Sequence, residues 1–133
     1  MPVRRLVAPD GIAIEWSERV ISLNGVKPQQ VPDDAVYIGR RIAMGGWRLE
    51  SSQWQNPHSV AQHGLERALL LYDADVRARS DDALREWLAP LRNCRLACWC
   101  HRRTARGAVS SNAHLCHGDI LAREIRRLWP EDL

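Results

Sequence analysis

In the last third of the chain, a short apolar run, Leu96-Ala97-Cys98-Trp99-Cys100, is followed by an apolar-periodic run from Ile120 to Trp129. The first is too short for a helix and apolar enough for a buried strand. The second repeats Ile120, Leu121, Ile125 and Leu128 at helical spacing, which predicts a helix over Gly118 to Trp129, closed by Pro130. The segment Arg95 to Ile125 holds three of the four cysteines (Cys98, Cys100, Cys116) and three of the five histidines (His101, His114, His117). Successive strand side chains face opposite ways, so Cys98 and Cys100 point to one side and Trp99 to the other. Cys116 and His117 fall where the helix starts. Soft ligands at both a strand end and a helix start mark a site.

The remainder of the chain supplies the frame for that site. Pro9-Asp10-Gly11 and Asn24-Gly25 are turn signals in an N-terminal region of alternating apolar and polar residues, and Asn-Gly between such runs predicts a hairpin. A strand is expected near Ala13 to Trp16 or near Val20 to Leu23, or at both, with a loop from Lys27 to Asp34. Ala35-Val36-Tyr37-Ile38-Gly39 reads as a buried strand. From Arg40 to Pro57 the periodicity breaks up, and Trp47 and Trp54 in this loop either plug the core or flank a ligand. From Ser59 to Ser80, Val60, Leu65, Ala68, Leu69, Tyr72 and Val76 predict one helix. A second, capped by Ser80 or Asp81, carries Leu84, Trp87, Leu88 and Leu91 and ends near Asn93 after Pro90. The order predicts a small α/β fold over residues 1–133, a single domain with a short, mostly parallel sheet and flanking helices. Residues 1–34 form a hairpin or strand region, and residues 35–129 form the core carrying the site. Strands Val36 to Gly39 and Leu96 to Cys100 are expected to be parallel neighbours.

A chain of 133 residues has room for an ordinary core without a metal or disulfide staple. It offers neither a secretory-type apolar leader nor a segment that could span a bilayer, so a cytoplasmic location is expected. In that compartment four cysteines suggest metal binding, catalysis or burial before disulfides. The net charge of +3 is mild, and of nineteen basic residues only Lys27 is lysine. Arginine suits phosphate and carboxylate, although heavy Arg and Ala usage also follows from a GC-rich genome. A domain built solely for duplex nucleic acid would carry a stronger basic excess.

In open α/β sheets, ligands bind beyond the carboxyl ends of the strands. Gly39-Arg40 and Cys98 to His101 are such ends, and the Trp54-Gln55-Asn56-Pro57 loop and the Cys116 to Asp119 helix start reach the same rim. These four stretches, Val36-Tyr37-Ile38-Gly39-Arg40, Trp54-Gln55-Asn56-Pro57, Cys98-Trp99-Cys100 and Cys116-His117-Gly118-Asp119, in this order resemble domain-of-unknown-function family 4326, small proteins of bacteria and their phages. The resemblance runs from about Val36 to Ile125. Gln55 and His58 stand where the family has Gly and Phe, and the stretches 41–53 and 101–115 are longer here. The family name assigns no activity.

The chemistry of the rim has several readings. Cys98, Cys100 and Cys116 with His117, or alternatively His101, could form a tetrahedral zinc site. On a straight strand a Cys-x-Cys pair splays its sulfurs by about 6–7 Å, so a bend or bulge at Trp99 is required. The cysteines could instead be buried core thiols, and Cys94, just after a helix, is expected to be structural. A third reading makes Cys116 a nucleophile, its thiol acidified by the helix start, with His117 or His114 as base and Asp119 as orienting group. Asp119 could equally be a first-turn charge, and His58 and His63 read as surface residues.

Two functions follow. The first is an enzyme acting on a small phosphorylated or nucleoside-like ligand, with Arg40 on phosphate, Trp54 and Asn56 on base or sugar, and Cys116, His117 and Asp119 catalytic. The second is a non-catalytic zinc module that touches nucleic acid through Arg102, Arg103 and Arg106. An open coordination position would favour the enzyme, and a closed set of four protein ligands the module.

Overall fold

The computed structural model describes residues 5–100 and 113–132. Strands β1 (Arg5–Val7) and β2 (Ala13–Glu15) pair antiparallel. The turn between them is built on Gly11 at φ 88, with the Ile12 N–H donating to Asp10 Oδ1 at 3.1 Å. Strands β3 (Val20–Ser22), β4 (Ala35–Tyr37) and β5 (Arg95–Cys98) form a parallel sheet in the order β3-β5-β4. In the central strand, Leu96, Ala97 and Cys98 are all buried, as burial on both faces requires. Leu96 stands between Val20 and Val36 in register and is fully buried. The expected parallel pairing of the β4 and β5 strands is therefore present.

Asn24-Gly25 departs from expectation. Its turn is real, with Gly25 at φ 74 and the Val26 N–H donating to the Leu23 carbonyl at 3.2 Å. It closes no hairpin, because β3 and β4 lie on opposite sides of β5 and run parallel to it. The hairpin belongs to the Pro9-Asp10-Gly11 turn instead.

The helices are α1 (Val60–His63), α2 (Leu65–Arg77), α3 (Asp81–Leu88) and α4 (His117–Leu128). Gly64, at φ 80, breaks the single helix expected from Ser59 to Ser80 into α1 and α2. The Ser59 and Ser80 hydroxyls cap α1 and α3 by accepting from the Gln62 and Ala83 N–H groups.

The sheet's two faces have different cores. On one, Val20, Ile38, Leu96 and Cys98 pack with Leu69, Tyr72, Leu84, Ile120 and Ile125. On the other, Ile21, Leu23 and Ala97 meet Tyr37, Trp47, Leu49 and Trp99. Cys98 and Trp99 thus face opposite ways, as strand alternation dictates. The start of α4 rests directly on the sheet. A Cβ at Gly118 would come within 2.9 Å of Ile38 Cδ1 and 3.0 Å of Val20 Cγ2, so any larger residue must push those side chains aside. Among the described residues, no helix is long and apolar enough to cross a membrane.

Candidate functional site

β5 stops at Cys98, and the chain bends through Trp99 and Cys100. Two contacts hold that bend. The Asn24 side-chain amide donates to the Trp99 carbonyl at 2.6 Å, and the Trp99 indole donates to the Tyr37 hydroxyl at 3.1 Å. Trp99 also meets Trp47 edge-on, with ring centroids 5.1 Å apart. The bend removes the splay of a straight Cys-x-Cys strand and carries the Cys100 sulfur back toward Cys98.

The third sulfur comes from the N-cap of α4. Cys116 accepts from the Gly118 N–H through its sulfur at 3.4 Å, while Asp119 accepts from the Cys116 N–H at 2.8 Å. This is a capping box with a thiol in the place of a hydroxyl. The sulfurs of Cys98, Cys100 and Cys116 lie within 4.8 Å of one another, and those of Cys98 and Cys116 are 3.2 Å apart. A tetrahedral ion with sulfurs at about 2.3 Å would set them about 3.8 Å apart, between those two figures. The three could hold one ion.

His117 stands beside this group. Its Nδ1 is 3.5 Å from the Cys116 sulfur and its Nε2 is 2.8 Å from the Ile38 carbonyl. A carbonyl only accepts, so Nε2 carries the proton and Nδ1 is directed toward sulfur. The Tyr72 ring packs edge-on against the imidazole, with centroids 5.3 Å apart. The electrostatics single out one sulfur. Burial works to raise the Cys116 thiol, but its contacts with Cys100 and Cys98 and the neighbouring His117 outweigh that and hold it well below the usual thiol range. At Cys98 the Cys100 thiol works downward, while Cys116 and burial prevail and push it up. Cys100 is pushed up by Cys116, by Cys98 and by burial. Burial works to depress His117, and the Cys116 sulfur and Ile38 carbonyl carry it above the ordinary value. Of the three thiols, Cys116 is thus the one its surroundings make most acidic.

A cavity of about 590 Å³ opens onto this group, lined by Cys98, Cys100, Cys116 and His117 at one end and by Gly39, Arg40, Asn56, His58, Leu65 and Leu69 among its other walls. A family model, Domain of unknown function (DUF4326), matches residues 21–127. The chain belongs to that family. The DUF4326 match contains all four rim motifs and leaves the β1–β2 hairpin outside. An uncharacterised protein of Acanthamoeba polyphaga mimivirus is 30% identical over 86 residues, covering 65% of this chain and 62% of the relative, so the chain spans less than two thirds of that protein. No solved structure matches the chain significantly.

The remaining rim residues take different places. Arg40 is exposed and lines the cavity. Asn56 also lines it, but its amide is committed to the loop: it donates to the Ala68 carbonyl at 3.1 Å and accepts from the His58 N–H at 2.9 Å. Trp54 is not among the described lining residues. It is buried in the core, its indole donating to the Trp87 carbonyl at 3.0 Å, because its loop folds beneath α2 and α3. The Tyr72 hydroxyl, whose burial pushes its pKa up, donates to the Trp54 carbonyl at 2.6 Å.

Asp119 is 1% exposed and also lies off the described cavity lining. It accepts from the Ser17 and Cys116 backbone N–H groups at 2.9 and 2.8 Å, so it positions Cys116. Cys94 is half-buried and donates to backbone carbonyls. His101 and the loop arginines Arg102, Arg103 and Arg106 lie outside the described residues. Sequence reasoning missed Asn24, read as a hairpin turn, and His58, read as a surface residue, which lines the cavity and bonds Asp75 at 2.6 Å.

Proposed function

We propose that Cys98, Cys100 and Cys116 bind one zinc ion as thiolates, with a fourth position facing the cavity, and that this centre belongs to an enzyme acting on a small phosphorylated or nucleoside-like ligand. One observation carries the reading: three sulfurs from two elements distant in sequence converge within 4.8 Å at the end of an open cavity. Thiolates select soft or borderline ions, and three protein ligands with an open place are the arrangement of catalytic rather than structural zinc. The bound ion would supply Lewis acidity. The chain's own residues do the rest: Asn24 holds the bend that brings Cys100 in, Asp119 fixes the Cys116 backbone, and Ile38 fixes the His117 tautomer.

Elemental analysis of the purified protein tests the reading. One zinc per chain is expected, with the cysteines slow to alkylate until a chelator is added. His117→Ala separates an open centre from a closed one. It should keep its zinc when three sulfurs suffice, and lose it when His117 is a fourth ligand in a structural module.

The depressed Cys116 thiol beside His117 favours one other reading, a cysteine nucleophile. In that case the protein is metal-free, and Cys116 alone is alkylated fast near neutral pH, with or without chelator.

A further inference from the structure

We infer that the cavity binds an organic phosphate, with Arg40 as the anion anchor and His58, held by Asp75, as a second polar contact. The inference rests on reading the cavity as a ligand site and names the class of ligand. It requires no ion at the cysteines.

The first support is charge. The described lining residues include Arg40 and three histidines, His58, His114 and His117, and no carboxylate. Several described arginines meet acids: Arg77 and Arg123 meet Asp73, Arg127 meets Asp81, and Arg92 meets Glu131. Arg40 has no ion pair among the described residues, although its backbone is fixed. Its carbonyl accepts from the Tyr37 hydroxyl at 2.5 Å, and at Gly39 a Cβ would lie 2.6 Å from the same oxygen. A fixed backbone with an uncommitted guanidinium at a cavity wall suits a phosphate.

His58 supplies the second support. Its N–H is held by Asn56 Oδ1 at 2.9 Å and its Nε2 by Asp75 Oδ2 at 2.6 Å. A carboxylate accepts, so Nε2 carries a proton, and Nδ1 has no partner among the described residues. That nitrogen remains for a ligand hydroxyl or a protonated phosphate oxygen.

The third support is size and polarity. A bare phosphate would leave most of the 590 Å³ empty and the apolar wall of Val60, Leu65 and Leu69 without a partner. Cavities of this size take drug-sized molecules. A phosphate that carries an organic body meets both walls at once.

Calorimetric titration of the full chain with AMP, UMP and ribose 5-phosphate, with their unphosphorylated counterparts and with inorganic phosphate, tests this. At least one monoester should bind roughly tenfold or more tighter than its unphosphorylated form and than inorganic phosphate, the strength of one or two charge-assisted hydrogen bonds. Arg40→Ala should remove most of that preference and His58→Gln a smaller part. Arg126→Ala, an exposed arginine far along α4, should leave it unchanged. Arg40→Gln replaces the alanine variant should that lose its circular dichroism. The inference is overturned if no monoester outbinds its unphosphorylated form, or if both Arg40 variants bind like the parent. Zinc measured on the same samples keeps the two readings apart: zinc without phosphate preference fails this inference alone, and phosphate preference without zinc fails the metal reading alone.

Discussion

Two buried polar clusters flank α4, and they are built on opposite principles. Near its middle, Asp73 is fully buried and meets Arg123 at 2.5 Å and Arg77 at 3.1 Å, with Arg123 also on Glu124 and Arg77 on Asp10. Each charge there finds its opposite within the chain. At the N-terminal end, three sulfurs crowd together, and the one whose thiol is held below the usual range lies beside His117. Buried charge is tolerated when it is paired or when it coordinates a metal. The first cluster is complete as a fastener between α2, α4 and the hairpin. The second is open to a cavity, and its three sulfurs could hold one ion.

The largest expected effect breaks the closed cluster. Asp73→Ala leaves Arg77 and Arg123 facing each other without their shared carboxylate, and should cost about 3 kcal/mol, at the low end for a broken buried pair because both arginines keep some solvent contact. Urea unfolding measures it, and a chelator should not change the difference.

Next comes the open cluster. With zinc held as proposed, chelation should lower stability by roughly 2–4 kcal/mol, since the folded chain brings the three sulfurs together. Cys98→Ser should abolish that response. A chelator effect of equal size in Cys98→Ser would remove the contrast between the two clusters.

Gly118→Ala sharpens the comparison, because it strikes the seat of the open cluster without touching a ligand. The new methyl would press on Ile38 and Val20, at a cost of about 1–3 kcal/mol. It should also loosen the hold on Cys116 and lower zinc occupancy, read by thermal melts and metal content.

The smallest effect is pH dependence at the periphery of the closed cluster. A hydrogen bond from Arg77 lowers the Asp10 pKa, and one from Arg127 lowers that of Asp81, both from an ordinary 3.8. A carboxyl with a depressed folded pKa stabilises above its unfolded value and loses that contribution as pH falls through the folded one. The stability gap between the parent and Asp81→Asn should thus be small at neutral pH and vanish below the ordinary Asp range. Melts across that window would show it, and a gap that grew toward acid would contradict the pairing.

Local chemistry made several features legible from residues alone. The apolar run at Leu96 to Cys98 read as a buried strand, and the alternation of a strand put Cys98 and Trp99 on opposite faces. Ser80, the periodicity from Ile120 to Leu128 and Cys116 at a helix start are short-range signals, and each is where its local pattern implies. Pairing partners are another matter, because the signal for a turn does not say which strands it joins. Asn24-Gly25 turns the chain as its φ preference demands, yet β5, seventy residues away, takes the place between β3 and β4 that a hairpin would have filled. Asn24 then serves the site by holding the Trp99 carbonyl. The same holds for charge and burial. For Asp119 and Trp54 the sequence left both a rim role and a fold role open, and Ser17, a hundred residues away in the chain, and Trp87 hold those groups for the fold. His58 looked like a surface residue until Asp75, one helix later, fixed its ring at the cavity. Residue type and spacing determine what a side chain is able to do. Only the tertiary structure decides which partner reaches it first, because a hydrogen-bonding group already satisfied by a distant backbone atom is no longer available to a ligand.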